Sequence, residues 1–451
     1  RNLKIGIYEI DNIYITNKIA NLSQTGVEVK ILIDTKPVGG ISDREKNCIN
    51  LLRESGVTIK FIGGENYSPY SYFHCKYMIA DNSSTLISSE NFGYTGYPDN
   101  PTIGNRGWGV TLENEDVADY YSKVFNSDWR YGFYKELRDT ETESWKRYLG
   151  TYKPIYKNKT VNGSFKVTPV ISPDTSISQK TIIDMIDSSN GSIYVQQFYI
   201  KNWPGRMNPY ISHLLEAAER GVDVKILLDS TWYNIKDDEK DNDDMVKFLN
   251  NYSLKNNLSL EARLINREHG FSKVHNKGMI VDRKKVLISS INWNSNSILQ
   301  NREIGVIVEN KEVGRYFSKI FEHDWKADIT EPIADAGRDR SCNVDKKITF
   351  NGSFSWDDKS IKTYYWDLNG DGKFEEESIE VSKIFKEKGT YQIKIKVEDC
   401  EGNTDIDNAT IQVRDREKIN LSNSNSQYPI LLISIFALII IVVFIIYILY
   451  K

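Results

Sequence analysis

His275-Asn276-Lys277-Gly278-Met279-Ile280-Val281-Asp282, followed by Ser289-Ser290-Ile291-Asn292, sets an imidazole and an ammonium two residues apart, ahead of an apolar run ending in Asp. On a strand, residues i and i+2 share a face, so His275 and Lys277 point the same way. Such a pair can present a nucleophile beside a fixed positive charge. The stretch occurs twice. His74-Cys75-Lys76-Tyr77-Met78-Ile79-Ala80-Asp81 leads into Ser88-Ser89-Glu90-Asn91 with identical spacing. One H-x-K-x4-D is compatible with a satisfied core histidine, but a second copy with the same Ser-Ser-x-Asn following argues for chemistry.

The repeat extends beyond the motif. Gly26-Val27-Glu28-Val29-Lys30-Ile31-Leu32-Ile33-Asp34 matches Gly221-Val222-Asp223-Val224-Lys225-Ile226-Leu227-Leu228-Asp229. Tyr120 to Phe125 with Asp128-Trp129 matches Tyr316 to Phe321 with Asp324-Trp325. The offset is near-constant, 195 (221 − 26) to 201 (275 − 74) residues. Each copy reads strand, helix, strand, loop, motif strand, strand, helix. Apolar runs such as Val224 to Leu228 suit strands buried on both faces. The amphipathic stretch Ile211 to Arg220 stops at Gly221, as a helix does on its C-terminal glycine. The alternation implies an α/β layered fold.

Duplicated H-K-D motifs are the signature of the phospholipase D superfamily, which this chain resembles up to about Asp328. The resemblance implies two fused domains in a pseudo-two-fold arrangement, with their motifs facing across a cleft. We expect the first domain over residues 1–150 and the second over 161–329, linked by the polar stretch Lys153 to Thr160 and the turn at Asn162-Gly163. The second copy opens with a strand from Phe165, a helix over Ser178 to Ile186 and the strand Ser192 to Val195. The first copy begins at its equivalent of that last strand, so we expect the natural protein to extend upstream. The chain starts at Arg1, with no signal peptide visible.

Phosphodiesters resist hydrolysis because their anionic oxygens repel a nucleophile and alkoxide leaves poorly. A neutral imidazole can attack phosphorus and split the step through a phosphohistidine. A second, protonated imidazole gives its proton to the leaving oxygen and then activates water or an alcohol. His74 and His275 are therefore assigned as nucleophile and general acid/base, with Lys76 and Lys277 beside them. Together with Ser89, Asn91, Ser290 and Asn292 the lysines are expected to hold the phosphate oxygens. With two ammonium groups supplying positive charge, neither a catalytic metal nor a cofactor is required. Asp81 and Asp282, at the far strand ends, are expected to support the two-domain core. Glu303 lies 28 residues after His275 (303 − 275), where the resemblance implies a carboxylate that orients the imidazole. The aligned run Asn105-Arg106-Gly107 has none, and Ser88 and Ser289 stand where the family usually has Gly. Inequivalent halves are expected.

Beyond Asp328 the pattern changes to alternating strands with Gly-bearing turns, an all-β sandwich over 331–415. Ala334-Asp335-Ala336-Gly337, Asn351-Gly352-Ser353, Tyr365-Trp366-Asp367 and Gly389-Thr390-Tyr391 resemble the PKD family, an immunoglobulin-like extracellular module. Asp367-Leu368-Asn369-Gly370-Asp371-Gly372 reads as a tight hairpin turn; a weak calcium site on Asp367, Asn369 and Asp371 is the alternative, with Ser378 where a twelfth-position Glu would stand. Cys342 and Cys400 could pair outside the cell. A Ser/Asn-bearing linker (416–428) precedes an uncharged apolar run, Ile430 to Tyr450, long enough to span a bilayer as a helix (429–450). The expectation is a single-pass, C-terminally anchored protein of the cell membrane, with its globular part extracytoplasmic.

A net charge of −4 excludes the basic excess of a general nucleic-acid binder. The acidic run Lys236 to Asp244 would repel polyanions if it rimmed the cleft. The favoured function is a membrane-anchored, phospholipase-D-like phosphodiesterase acting on phospholipids. The alternatives are a nuclease on DNA or RNA, a cardiolipin-synthase-like phosphatidyl transferase, and an inactive protein that binds a cell-surface partner through its PKD-like module.

Overall fold

A computed structural model describes residues 1–64, 68–98, 104–137, 156–235, 241–265, 272–326 and 332–415, apart from 354, 356, 358, 359 and 401. The first half contains β1 (Asn2–Ile7), α1 (Ile13–Gln24), β2 (Glu28–Asp34), α2 (Asp43–Glu54), β3 (Thr58–Ile62), β4 (Lys76–Ala80), β5 (Ser84–Ser88), β6 (Gly109–Glu113) and α3 (Glu115–Trp129). The second repeats this after an added opening: β7 (Lys166–Ser172), α4 (Ile182–Asp187), β8 (Ser192–Gln197), α5 (Pro209–Glu219), β9 (Asp223–Leu228), α6 (Asn242–Asn256), β10 (Leu260–Leu264), β11 (Lys277–Val281), β12 (Lys285–Ser289), α7 (Ser295–Leu299), β13 (Glu303–Glu309) and α8 (Lys311–Lys326).

The sheets run β3-β2-β1-β4-β5-β6 and β10-β9-β8-β11-β12-β13-β7. Parallel pairs join β1–β3, and β4–β6 continue antiparallel; the second sheet repeats this and adds β7 against β13. Each motif strand lies antiparallel beside the first parallel strand, so Lys76 faces Ile7 and Lys277 faces Gln197. Both histidines thus stand at the carboxyl ends of parallel strands, where open α/β sheets place their ligands. Local chemistry sets the helices. Asn12 and Asn208 cap α1 and α5 through their side chains, and Gly26 and Gly221 follow these helices at φ 90°. The expected helix from Ser178 begins instead at Ile182, because the Thr181 hydroxyl bonds the Thr175 and Ser178 carbonyls and holds that stretch in turns.

The halves share one core. Tyr77, Trp108 and Phe125 of the first pack in the same cluster as Ile280, Ile304 and Phe321 of the second. A Cβ on Gly278 would come within 2.5 Å of the Trp108 ring, so the glycine admits that indole. Two buried ion pairs cross the junction in matching places: Arg302 with Asp128 at 2.9 Å, and Arg106 with Asp324 at 2.8 Å. Asp81 and Asp282, expected to stabilise the two-domain core, do something more local. Asp81 accepts the Asn2 N–H, and Asp282 accepts those of Asn190, Gly191 and Ser192, pinning the starts of β1 and β8 within each half.

The third unit holds β14 (Arg340–Asn343), β15 (Lys347–Asn351), β16 (Ile361–Asp367), β17 (Glu376–Glu377), β18 (Glu380–Ile384), β19 (Gly389–Asp399) and β20 (Thr404–Arg414) around Trp366, Phe350 and Ile395. Asp367 accepts the N–H groups of Asn369, Gly370 and Gly372, so its carboxylate is committed to closing the hairpin turn. Cys342 pairs across from Val413, whereas Cys400 precedes the start of β20 at Thr404. At about 3.3 Å per residue the strand separates them by roughly 30 Å, far beyond disulfide reach. Both are free thiols. Among the described residues no helix is long and apolar enough to cross a membrane. The span expected at Ile430 to Tyr450, and residues 236–240 of the acidic run, lie outside the described residues.

Candidate active site

The approach to each histidine is fixed by a strand-end aspartate. Asp34 accepts the Phe73 N–H at 2.6 Å, and Asp229 accepts the Val274 N–H at 2.7 Å. Each histidine's own N–H then donates into the other half: His74 to Arg302 O at 2.9 Å, His275 to Arg106 O at 3.0 Å. An aromatic edge packs on each imidazole, Tyr8 at 4.6 Å from His74 and Phe198 at 5.0 Å from His275.

Both lysines are fully buried, Nζ of Lys76 on His74 O at 2.9 Å and Nζ of Lys277 on His275 O at 2.5 Å. Each ammonium also lies 5.0 Å from the ring that packs on its histidine, Tyr8 or Phe198. Burial pushes the Lys76 ammonium down to about 8 and lowers Lys277 well below the usual lysine range. An incoming phosphodiester anion opposes that shift. Burial likewise pushes His74 down to about 4, with Glu303 pulling it back and Lys76 adding to it. The imidazole is therefore neutral near pH 7 and available as a nucleophile.

The carboxylates cross over. Glu303, expected to serve His275 of its own half, instead contacts Nδ1 of His74 at 2.8 Å. The physical reason is the junction itself: bridges Phe73–Arg302 and Arg106–Val274 lay the start of each late strand beside the other half's motif. His275 has its own carboxylate, absent from the expected position 107. Glu90 Oε2 lies 3.3 Å from His275 Nδ1, which has no hydrogen-bond partner among the described residues. Burial opposes ionisation of Glu90 but the neighbouring His275 and Lys277 lower it, while burial and Lys277 push His275 well below the usual imidazole range. Glu90 stands at a position that the duplicated motif does not mark. Its signal was present as the odd member of Ser88-Ser89-Glu90-Asn91, where the other copy carries Ile291.

Ser89 and Ser290, expected on phosphate, are turned elsewhere. Ser89 donates to Glu90 at 3.1 Å and Ser290 to Glu303 at 2.6 Å, and each accepts a backbone N–H, from Trp108 and Ile304. Both are fully buried, so these hydroxyls hold carboxylates. Asn91 donates to Glu9 at 2.5 Å, and Asn292 is 5 % exposed. The Oδ1 atoms of Asn91 and Asn292 are buried without a hydrogen-bond partner among the described residues. A cavity of about 410 Å³ opens beside His275, lined among others by Glu9, Asp11, Glu45, Asn91 and Lys273.

Two α/β halves that exchange carboxylates onto each other's histidines, with a buried lysine beside each, define a duplicated His-Lys-Asp protein. The family described as cardiolipin synthase, PLD-like domain, matches residues 1–129 and 182–325, and the PKD domain family matches 329–414. The chain belongs to the phospholipase D superfamily, whose members are phosphodiesterases and transferases, and carries a C-terminal PKD domain.

The chain is 30% identical to a phospholipase D of Rickettsia bellii over 152 residues, 33% of this chain and 63% of that one. It is 20% identical to a 5'-3' exonuclease of Xenopus laevis over 385 residues, 77% of this chain and 70% of that one. It is 25% identical to a probable cardiolipin synthase of Bacillus subtilis over 319 residues, 67% of this chain and 56% of that one. It thus spans less than two thirds of the Rickettsia and Bacillus proteins. The crystal structure of a phosphatidylserine synthase from Haemophilus influenzae shares the fold at a TM-score of 0.51 and 13% identity, covering 72% of this chain and 80% of that one.

Proposed function

We propose that the chain is a phospholipase-D-like phosphodiesterase acting on phospholipids through a phosphohistidine, with His74 and His275 as the nucleophile and general acid/base pair. The observation that carries the reading is the crossed arrangement: a carboxylate of the opposite half faces Nδ1 of each imidazole, hydrogen-bonded at His74 (2.8 Å) and 3.3 Å away at His275, which leaves Nε2 for phosphorus or for the leaving oxygen. Lys76 and Lys277, with Asn91 and Asn292, offset charge on the phosphoryl oxygens. A phosphoryl group bonded to one Nε2 expels an alcohol protonated by the other imidazole. That imidazole then takes a proton from water, or from a second alcohol in a transfer, as it attacks phosphorus and releases histidine.

The lipid reading is supported by the cavity wall. A groove for single-stranded nucleic acid tracks the backbone with successive cations. The cavity beside His275 sets Arg44 and Lys273 against Glu9, Asp11 and Glu45, a mixed wall rather than a row of successive cations. A lone phosphodiester, as in a phospholipid headgroup, needs no such row. The apolar run Ile430 to Tyr450 would hold such an enzyme at a bilayer, with the PKD domain available to a surface partner. Nuclease action is the second reading, favoured by the likeness to the Xenopus exonuclease over most of the chain.

The deciding experiment incubates the protein with labelled phosphatidylglycerol and, separately, single-stranded DNA, with His74→Ala and His275→Ala as controls. Phosphatidate or phosphatidyl transfer from the lipid alone supports the proposal. Cleavage of DNA alone replaces it with the nuclease reading, and turnover unaffected by either alanine ends both.

A further inference from the structure

The registers align the two halves residue by residue. Ser88 lies opposite Gly109 in the first sheet, and Ser289 opposite Gly305 in the second. Gly107 therefore occupies the place of Glu303, Asn105 that of Asn301, Ser89 that of Ser290, and Glu90 that of Ile291. In the second half Glu303 receives Ser290 Oγ at 2.6 Å and Asn301 Nδ2 at 3.1 Å, and reaches His74 across the junction. In the first half the equivalent donors, Ser89 Oγ at 3.1 Å and Asn105 Nδ2 at 2.8 Å, converge on Glu90, which faces His275 across the junction. The donors are the same and the histidine is the counterpart; the carboxylate comes from a different backbone position and stands 3.3 Å from its imidazole instead of 2.8 Å. A Cβ at Gly107 would fall 2.2 Å from Glu90 Oε1 and 2.6 Å from its Cδ. The Glu90 carboxyl thus fills the space through which a side chain at 107 would have to pass.

We infer that Glu90 is a relocated positioning carboxylate for His275, performing for it what Glu303 performs for His74, and that Gly107 is the compensating residue that admits it. The inference rests on the proposed reading of His275 as one of two catalytic imidazoles. His275 Nδ1 is buried without a hydrogen-bond partner among the described residues, and Glu90 Oε2 at 3.3 Å is the carboxylate that faces it. By accepting the Nδ1 proton as the contact closes, Glu90 would select the tautomer that keeps Nε2 free for proton transfer and oppose the positive charge when that nitrogen is protonated. The inequivalence expected from the missing carboxylate at 107 is thereby a change of address rather than a loss. The 3.3 Å contact has room to shorten as substrate draws charge onto the ring.

The test compares, in the full chain, wild type, Glu90→Gln and the exchange Glu90→Ile/Gly107→Glu, which copies the second half's arrangement. Turnover of bis-p-nitrophenyl phosphate should fall by about 10-fold or more in Glu90→Gln with KM within about two-fold, and the exchange should recover most of the loss. Gly107→Glu alone should not help, since its side chain meets Glu90. A second readout needs no activity. In 15N-histidine NMR, with His275 assigned through His275→Gln, the Nδ1–H tautomer should dominate in wild type and in the exchange, and the Nε2–H tautomer should grow in Glu90→Gln. A Glu90→Gln protein with unchanged turnover and unchanged tautomer overturns the inference, as does a folded exchange variant no better than Glu90→Gln. If wild type turns over no phosphodiester, the proposed function fails on its own, and the His275 tautomer still decides the role of Glu90.

Discussion

Replacing Glu303 by Gln tests how much the crossed carboxylate contributes, because the side chain keeps its size and loses its charge. Glu303 is fully buried and accepts from three groups: His74 and Ser290 on Oε2, Asn301 on Oε1. A glutamine oxygen can serve the first two, but its NH2 then confronts Asn301 Nδ2. Asn301 cannot turn its amide without losing the bond its Oδ1 accepts from Asn296 at 3.0 Å. Losing a buried charge-assisted hydrogen bond costs about 1.5–3 kcal/mol. The imidazole also gains a full positive charge on attack, and a carboxylate about 4 Å from it contributes roughly 4 kcal/mol at an effective dielectric near 20. A loss of about 1.5–4 kcal/mol in the transition state corresponds to roughly 10- to 1000-fold in kcat. Stopped-flow or plate assay of bis-p-nitrophenyl phosphate at pH 6.5 reads it. The sign on pH is set as well: Glu303 raises the pKa of His74, so its removal must carry the acid limb of kcat/KM to lower pH. Turnover within about two-fold of wild type, or an acid limb displaced upward, would refute the reasoning.

The remaining expectations can be checked with the same preparation. With His74 as the nucleophile, kcat/KM in wild type should be bell-shaped, falling below about pH 4 as His74 takes up a proton and on the alkaline side as His275, lowered by burial and Lys277, loses the proton it must donate; a flat profile from 4 to 9 contradicts the assignment. Turnover should persist after dialysis against EDTA, since the two lysines supply the charge on phosphate, and abolition restored by a divalent cation would show otherwise. Arg302→Met should destabilise by about 3–5 kcal/mol in chemical denaturation, because it leaves the fully buried Asp128 with the Tyr70 hydroxyl but no cation at the junction. A change below about 1 kcal/mol would mean that the pair carries little.

Spacing made much of this visible. The repeated H-x-K-x4-D, the apolar runs and the glycines at 26 and 221 marked two α/β copies, and alternation in strands placed His and Lys together. Pairing between the halves was not legible, because sequence distance says nothing about which copy's strand start lies beside which motif. Glu303 was therefore assigned to its own half, although the junction lays it on His74. Ser89 and Ser290 looked like phosphate ligands because small hydroxyls often do; only the observed carboxylates beside them show their work. Glu90 could have been found by aligning the two copies, since Glu90 with Gly107 and Ile291 with Glu303 are opposite choices at the same two places. Asp128 and Asp324, noticed only as part of a repeated Asp-Trp, prove to be the anchors of the two buried arginines.

Mapping the covalent intermediate tests the central claim most directly. Wild-type protein is mixed with 32P-labelled bis-p-nitrophenyl phosphate, quenched in alkali within one turnover, digested and sequenced. The account predicts one alkali-stable, acid-labile phosphoryl group on a peptide containing His74 or His275, absent when that histidine is alanine. Label on neither histidine, in protein that is turning over the substrate, would contradict it.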